Sequence, residues 1–349
     1  MNDKNMIKRF PGIDALKFIC AFFVVCIHKR FPGMVGLYIV AISRIAVPIY
    51  FMITGFFYKS EENQEKKQIL KLLKIILFSS VLYFVWNFML DIAGFIVHGN
   101  TDSIFRVLDA FSKRSLLEMF LFNESPFAGH LWYLNAVVYV FLCFFIFKKI
   151  KLVKILYWIT PLLLIVDLVF GKYSLAILGR EFDYICVRNF LFVGIPYFAI
   201  GHVIRHAYVQ NKLKPRHGKY LLVAATVFSI MLCVIEKYIL LALKIEAKRD
   251  HYISTTVLAI VVFILFLTAF SNENKKLKWI SDIGRKNSLD IYIIHPMVMD
   301  VLSIISRKLR IENAYVYVAP GLVFAVSIFL SVIYRRVLNC FKNKCNKNN

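Results

Sequence analysis

The chain has 349 residues, of which 59% are hydrophobic, and a formal net charge of +23 at pH 7. A soluble domain is about half apolar, whereas here the apolar residues form long blocks between short basic loops, a pattern typical of a membrane protein with several spans. The positive charge is spread over many loops, which argues against nucleic-acid binding. We therefore predict an all-α polytopic membrane protein.

Hydropathy predicts ten transmembrane helices, most of them close to the length of about 20 residues that a bilayer requires. No small-residue cleavage site follows the first apolar run, so we expect no cleavable signal peptide. Loops on the side of the N-terminus carry about twice as many Lys and Arg residues as the opposite loops. This predicts cytoplasmic termini (1–12 and the basic tail 335–349) and a membrane domain at 13–334 in the plasma membrane. The predicted spans are 13–28, 34–57, 75–97, 131–147, 152–170, 184–204, 220–243, 252–270, 288–305 and 314–334.

The first predicted span carries three ionisable residues, Asp14, Lys17 and His28. At 100° per residue, Lys17 and His28 lie within about 20° of each other and Asp14 lies about 60° from Lys17, so all three share one helix face. Lys17 and His28 are separated by about 16 Å along the axis. Ionisable residues in a membrane usually face the protein interior or a cavity and indicate function. The other interpretation is that Asp14 and Lys17 are interfacial, with Lys17 extending to the cytoplasm, while His28 belongs to the outer rim.

Two further sets of cations suit an anionic ligand. Arg44 lies about halfway along the second predicted span, where it could bind an anion through two hydrogen bonds, and a guanidinium does not lose its proton readily. A buried pair with Asp14 or Asp91 is the alternative. Lys71 and Lys74 lie at i,i+3 on one helix face where the third span enters the membrane. They could bind a polyanionic phosphate, although lipid headgroups and the positive-inside rule explain them equally well.

Other polar residues lie near span ends. His130 precedes Trp132 and Tyr133 at the start of the fourth span, on the predicted outer side. An interfacial aromatic belt accounts for Trp132 and Tyr133 but not for His130. Asp290 and His295 both lie on the ninth span but on different faces, so we expect them to have different neighbours.

The seven cysteines have no metal-like CxxC spacing, and most of them lie in or at the ends of apolar spans. Packing is therefore the expected role of these residues. We predict neither a disulfide framework nor a metal site.

Several segments resemble, in order and over nearly the whole chain, the acyltransferase-3 family of integral membrane proteins. The resemblance extends in particular to the branch that includes the membrane domain of vancomycin-resistance serine racemases. Members of the family typically transfer an acyl group, often acetyl, from cytoplasmic acyl-CoA to a hydroxyl on an extracytoplasmic glycan, peptidoglycan, lipid or small molecule. The segments are IDALKFICAFFVVCIH, SRIAVPIYFMITGFF, KLLK, HLWYL, VRNFLFVGIPYFAIG and SLDIYIIHP.

The resemblance gives two of these motifs a role. A basic residue and a histidine separated by ten residues on the first span are a hallmark of the family, and Lys17 and His28 match that spacing. Lys71 and Lys74 match the family's Arg-x-x-Arg at the cytoplasmic entry. Lysine replaces arginine in both motifs, which weakens the expectation of bidentate phosphate recognition but preserves the charge.

The resemblance implies an O-acyltransferase of the cell envelope, with acyl-CoA as donor substrate and no bound cofactor. His28 is expected to be the general base on the acceptor hydroxyl, because its unperturbed pKa suits that role near neutral pH. Asp14, also expected at the catalytic site, lies too far along the helix to orient His28 and should pair with Lys17 or Arg44. The other expected site residues are Lys17, Arg44, Lys71 and Lys74 for acyl-CoA and His130, Trp132 and Tyr133 for the acceptor, with His295 left without a definite role.

Two other functions also fit this sequence. Charged residues at several depths also fit a transporter or sensor for amino acids or other small molecules. The chain shows no internal repeat of the kind many transporters have, which argues against this alternative. A non-catalytic subunit of an envelope-polymer assembly is the third interpretation. The sequence identifies neither the acyl group, nor the acceptor, nor the oligomeric state.

Overall fold

The structure is a computed structural model, and it describes residues 9–58, 62–98, 106–213, 218–248, 250–270 and 275–345. Within these ranges all regular secondary structure is helical, as predicted. In the same ranges, eight helical segments are long and apolar enough to cross a membrane, and they correspond to eight of the ten predicted spans. The two remaining predictions, 152–170 and 252–270, coincide with apolar helices of only 11 and 17 residues.

Helices follow one another with short connections along the described chain. Short 3-10 turns (Arg106–Phe111 and Gly129–Leu131) precede α5 and α6, and a single π turn (Phe190–Gly194) precedes α11. The helices are α1 (Pro11–His28), α2 (Gly33–Ser43), α3 (Ala46–Phe56), α4 (Glu62–His98), α5 (Lys113–Phe122), α6 (Trp132–Lys149), α7 (Val153–Trp158), α8 (Thr160–Phe170), α9 (Ser174–Leu178), α10 (Tyr184–Val187), α11 (Ile195–Val209), α12 (Gly218–Ala242), α13 (Ile253–Ala269), α14 (Lys275–Lys308) and α15 (Glu312–Cys345).

Contacts divide the chain into two compact units. The first unit comprises the described residues of Met1–Tyr50, Asn211–Lys237 and Ser254–Asn349. Its core lies where α1, α14 and α15 pack together, and Phe324 of α15 contacts Phe18 and Phe22 of α1 edge-to-face, with ring centroids 5.1 and 5.2 Å apart. Such aromatic pairs contribute about 0.5–1.5 kcal/mol each beyond the burial of apolar area. The buried core residues are Ala21, Val25, Ile283, Ile291, Val298, Val323 and Phe324.

α1 and α14 lie side by side and run in the same direction. Near the beginning of α1 the two backbones approach so closely that a Cβ on Gly284 would lie 1.9 Å from the carbonyl oxygen of Asp14. Near the other end of α1, His28 contacts His295 of α14. The glycine therefore determines how closely the two helices pack, and the two histidines belong to the same interface.

A polar network joins α14 to α15. The Asp290 carboxylate accepts hydrogen bonds from Arg335 Nε and Nη2 at 2.5 and 3.0 Å, and from Ser331 Oγ at 2.9 Å. Asn287 Nδ2 donates to Ser331 Oγ at 2.8 Å. Because Asp290 is thus paired and hydrogen-bonded, its charge is compensated within the helix pair.

The second predicted span, 34–57, is interrupted in the middle. α2 ends at Ser43, Arg44 and Ile45 form a turn, and α3 begins at Ala46. The residue at this break is Arg44, which is one of the expected acyl-CoA-binding residues. The following helix is fixed to α1 by Tyr50, whose hydroxyl donates to the carbonyl oxygen of Lys17 at 2.9 Å.

The second unit comprises the described residues of Phe51–Gln210 and Tyr238–Ile253. Here the sixth predicted span, 184–204, is also broken, and two buried asparagines bind the backbone at the break. Asn189 Oδ1 accepts from the amides of Leu191 and Phe192 at 3.0 and 3.1 Å, and Asn123 Oδ1 accepts from the amide of Phe190 at 2.7 Å. Irregular backbone at membrane depth requires such internal partners, because lipid offers none.

A cluster of buried polar side chains holds the loop before α13 against α8 and the segment that follows it. Lys172 pairs with Glu246 at 3.3 Å, and Tyr252 donates to the same carboxylate at 2.6 Å. Asp167 accepts a hydrogen bond from His251 Nδ1 at 2.9 Å. Because Lys172, Asp167 and His251 are all buried, each of these charges and dipoles depends on its partner in the cluster.

Candidate active site

The candidate base, His28, is the last residue of α1 and is exposed. Its ring lies beside that of His295 on α14, with centroids 5.1 Å apart and planes inclined by 48°. His295 is completely buried. The helical-wheel argument correctly assigned different neighbours to Asp290 and His295, because Asp290 pairs with Arg335 while His295 contacts His28.

The residues around His295 determine which ring nitrogen carries its proton. Pro296 has no backbone N–H, so the carbonyl of Tyr292 loses the donor that an ordinary helix would supply. His295 Nδ1 lies 2.8 Å from this oxygen and 3.2 Å from that of Ile291. A carbonyl oxygen can only accept a hydrogen bond, so Nδ1 carries the hydrogen. In the neutral ring Nε2 then carries the lone pair.

Asp14 and Lys17 form an ion pair near the start of α1, which is one of the two pairings expected for Asp14. Lys17 Nζ lies 3.0 Å from Asp14 Oδ1, and Arg9 Nε lies 3.5 Å from Asp14 Oδ2. Arg9 also pairs with Asp282 of α14 at 2.8 Å. Asp14 is about 21 Å from His28 along the helix axis, so it contacts Lys17 and Arg9 but is too far from the imidazole to orient it.

Arg9 and Asp282 were not among the sequence candidates. Arg9 precedes the first predicted span and Asp282 precedes the ninth, so both resembled ordinary loop charges. A usable signal was the position of Arg9, which lies five residues before Asp14 and within reach of the same carboxylate. No comparable local pattern marks Asp282, because its contact with Arg9 joins residues far apart in the chain.

Lys71 and Lys74 belong to the second unit and lie on α4 with exposed side chains. Lys67, also exposed, continues the same helix face one turn earlier. An exposed row of three ammonium groups is accessible to phosphate, and each group can act as a point charge on it.

The three acceptor candidates differ in accessibility. In the second unit, His130 and Trp132 are both buried. The ring of His130 packs edge-on against that of Tyr83, with centroids 5.0 Å apart, and the guanidinium carbon of Arg188 lies 5.2 Å from the centroid of the Trp132 ring. Tyr133 is half-buried, and its hydroxyl lies 3.4 Å from Thr54 Oγ1. Of the three, Tyr133 is therefore the residue with a side chain partly open to a ligand.

Among the residues that the structure describes, no group of three or more His, Cys, Asp or Glu side chains is placed to hold a metal ion. Six cysteines are free thiols: Cys20, Cys26, Cys143, Cys186, Cys233 and Cys340.

A family model described as an acyltransferase domain matches residues 10–335. The chain is also similar to a curated protein named amino-acid racemase from Enterococcus faecalis, with 29% identity over 144 residues. That match covers 37% of this chain but only 18% of the relative. No solved structure matches the chain. Because the family model covers nearly the whole length, with the span pattern described above, the chain belongs to the acyltransferase-3 family of integral membrane proteins.

Proposed function

We propose that this membrane acyltransferase moves an acyl group, and specifically acetyl, from cytoplasmic acyl-CoA to a hydroxyl of an extracytoplasmic glycan or other envelope acceptor. The proposal includes cytoplasmic termini and a location in the plasma membrane. The observation that carries it is the arrangement on α1, where an exposed His28 lies eleven residues after a lysine held by a buried carboxylate. Membership of the family supports acyl transfer in general.

His28 acts as the general base in this mechanism. It removes the proton from the acceptor hydroxyl while the hydroxyl oxygen attacks the thioester carbonyl. The new C–O bond forms, the C–S bond breaks, and the proton on His28 passes to the departing CoA sulfur. The exposure of His28 at the helix end supports this role, because a substrate hydroxyl can reach the imidazole.

Lys17, Lys71 and Lys74 supply positive charge to the donor. The ammonium groups of Lys71 and Lys74 bind the CoA phosphates, as their exposure allows. Lys17 and Arg44 contact polar groups of the pantetheine arm, and Asp14 holds Lys17 in position. Tyr133 contacts the acceptor, and the buried His130 and Trp132 complete the acceptor side.

Donor binding can be tested without knowing the acceptor. Purified protein in detergent is titrated with acetyl-CoA while its thermal midpoint is followed, and a ligand that binds only the folded state adds about 2.7 kcal/mol of stability at a hundredfold excess over its dissociation constant. We expect a saturable shift that is weakened in Lys71→Ala/Lys74→Ala. The matched control is Lys151→Ala/Lys154→Ala, a second exposed i,i+3 lysine pair of the second unit. Equal affinities in the two double variants would refute the phosphate assignment.

Transfer is tested in membrane vesicles supplied with radiolabelled acetyl-CoA, with alkali-labile label in the lipid, glycan and soluble fractions as the product. His28→Gln should abolish this label while the variant keeps its thermal midpoint and still binds acetyl-CoA. Wild-type labelling by His28→Gln would exclude His28 as the base.

An amino-acid panel in the midpoint assay tests the alternative function. The similarity to a protein named amino-acid racemase is the observation that favours including it. A shift with an amino acid and none with any acyl-CoA would replace the proposal with transport or sensing of amino acids.

A further inference from the structure

We propose that Glu65 is a positioning residue for donor binding: its buried carboxylate fixes the rotation of α4 about its own axis, so that Lys71 and Lys74 face outward toward the CoA phosphates. The inference rests on the proposed role of these two lysines in binding the donor. It gives a role to a buried carboxylate that the mechanism does not use, and all the residues concerned belong to the second unit.

The buried side of α4 is narrow and lies opposite its lysines. Among the side chains of α4 that the structure describes, only those of Glu65, Ser79 and Tyr83 are buried. At 100° per residue these three positions lie within about 40° of one another, so they form a single stripe. Lys71 and Lys74 lie about 240° and 180° from Glu65 on the same wheel. A rotation of α4 would therefore turn the lysines away from the side on which they are now exposed.

The carboxylate of Glu65 is the charged anchor at the lysine end of this stripe. The Tyr58 hydroxyl donates a hydrogen bond to Oε1, and Lys148 Nζ lies 3.3 and 3.4 Å from the two carboxylate oxygens. The side chain of Glu65 is only 1% exposed. A buried charge that loses its partners is strongly unfavourable, so α4 is held in the rotation that keeps both partners within reach. Ser79 and Tyr83 carry no charge and provide no comparable restraint.

The tyrosine that binds Glu65 is itself fixed by a cluster of buried aromatic rings. The ring of Tyr58 stacks on that of Phe141, with centroids 5.8 Å apart. Phe144 and Phe198 contact the same ring edge-to-face, with centroids 5.9 and 5.2 Å away. These phenylalanines belong to α6 and α11. The position of the hydroxyl is therefore set by α6 and α11, and α4 must adapt to it.

Anchoring of α4 should affect the affinity for the donor rather than the transfer step. If α4 without the anchor presents its lysines correctly for about a tenth of the time, the apparent dissociation constant for acetyl-CoA rises about tenfold. The charge of Glu65 acts in the opposite direction, because a carboxylate repels phosphate. Glu65 lies about 13 Å or more from the lysines, across the helix, so loss of its charge alone would lower the dissociation constant by less than about twofold.

Two substitutions of Glu65 separate anchoring from charge. Glu65→Leu removes the carboxylate and should raise the dissociation constant for acetyl-CoA about tenfold, as measured by titration of the thermal midpoint. Glu65→Gln keeps an oxygen for the Tyr58 hydroxyl and should stay within about twofold of the wild type, although it also lacks the charge. The transfer rate at saturating acetyl-CoA should be unchanged in both. The control is Glu118→Leu, which removes another paired carboxylate of the second unit and should leave donor affinity unchanged.

Tyr58→Phe tests the same anchor if Glu65→Leu does not accumulate as folded protein. It keeps the ring within the aromatic cluster and removes only the hydroxyl donor, so the dissociation constant should rise less than in Glu65→Leu. An unchanged dissociation constant in the variants that fold, whatever their thermal midpoints, would leave Glu65 with a structural role alone and overturn the proposal. A lower dissociation constant would show that charge outweighs anchoring and would overturn it as well.

The rotation of α4 can also be measured without any ligand. After replacement of the native cysteines, spin labels at Lys71→Cys and Lys151→Cys report the distance between two exposed positions of the second unit. We expect one narrow distance distribution with Glu65 or Glu65→Gln and a broader or displaced one with Glu65→Leu. An unchanged distribution in Glu65→Leu would overturn the proposal. A displaced distribution combined with wild-type acetyl-CoA binding by Lys71→Ala/Lys74→Ala would instead refute the proposed donor site and leave the anchor of α4 intact.

Discussion

The contact between α1 and α14 gives the most direct quantitative prediction, because both the His28–His295 pair and the Asp14 ion pairs depend on it. In Gly284→Ala, the new Cβ would lie 1.9 Å from the Asp14 carbonyl oxygen and 2.9 Å from the Phe18 nitrogen. Real Cβ atoms essentially never approach another atom closer than 3.0 Å, so the two helices must separate locally by about 1.1 Å. Both atoms belong to the backbone, so no side-chain rotation can relieve the clash.

Two effects should follow from this separation. Overpacking of a close contact costs about 1–3 kcal/mol of the free energy of unfolding, which is measured as a lower thermal midpoint in detergent. A displacement of about 1 Å in a catalytic arrangement costs on the order of 10²-fold in rate, which is measured as label transferred from acetyl-CoA. Binding of acetyl-CoA to Lys71 and Lys74 should change less than turnover, because Gly284 and these lysines belong to different units.

Gly321→Ala is the matched control, since Gly321 also lies within a long helix, but a Cβ there has nothing within 4 Å. Alanine has a higher helix propensity than glycine by up to about 1 kcal/mol, so this variant should keep or raise the midpoint and transfer at the wild-type rate. If Gly284→Ala behaved like Gly321→Ala, the close packing of α1 on α14 would not be required for activity and the argument would be wrong.

Two further variants test the buried polar clusters of the two units. Lys172→Met leaves the carboxylate of Glu246 in a buried site without its cation. This should lower the free energy of unfolding by about 3 kcal/mol, which is measured as a lower thermal midpoint. Arg114→Ala, which breaks a surface pair with Glu118, should leave the midpoint unchanged, and similar losses in the two variants would contradict the burial argument. In the first unit, Asp290→Ala leaves Arg335 and Ser331 without their acceptor and should lower the free energy of unfolding by about 1–3 kcal/mol. Asp290→Asn keeps an acceptor oxygen and should lower it less. Equal thermal midpoints for the two variants would contradict the network.

The fold class could be predicted from hydropathy because long apolar blocks have few alternatives to transmembrane helices. The breaks within two predicted spans could not be predicted from hydropathy. At Arg44 the apolar composition continues through the turn, and at Asn189 the backbone is satisfied by a side-chain oxygen and by Asn123 from a distant segment. A hydropathy average does not reveal either break, because both depend on hydrogen bonds to particular backbone groups.

The candidate site was predictable where it depends on a single helix. Helical geometry put Asp14, Lys17 and His28 on one face, and of the two partners expected for Asp14, Lys17 and Arg44, the structure contains the pair with Lys17. The contact of His295 with His28 was not predictable from the sequence alone, because it joins residues far apart in the chain. The dipeptide His295–Pro296 contained a local signal, since a proline always leaves a carbonyl without its helical donor.

If Lys17 occupies the arginine position of the family motif, as the resemblance implies, the ion pairs of Asp14 explain how lysine can replace that arginine. A single arginine can contact both oxygens of a carboxylate, whereas a lysine contacts one. Here Lys17 pairs with Oδ1 of Asp14 and Arg9 pairs with Oδ2, so the two cations together contact both oxygens, as one guanidinium can alone. Lys17→Arg should therefore be tolerated, and Arg9→Ala should lower transfer.

The double variant Arg9→Ala/Lys17→Arg decides whether this compensation occurs. We expect it to recover most of the transfer that Arg9→Ala loses, because the arginine at position 17 can contact both oxygens of Asp14. Its thermal midpoint should recover less, since Arg9 also pairs with Asp282 at 2.8 Å and residue 17 does not replace that bond. Coupled residues depart from additivity by about 0.5–3 kcal/mol. A double variant whose transfer rate equals the product of the two single effects would show that Arg9 and Lys17 act independently on Asp14, and that the lysine needs no partner.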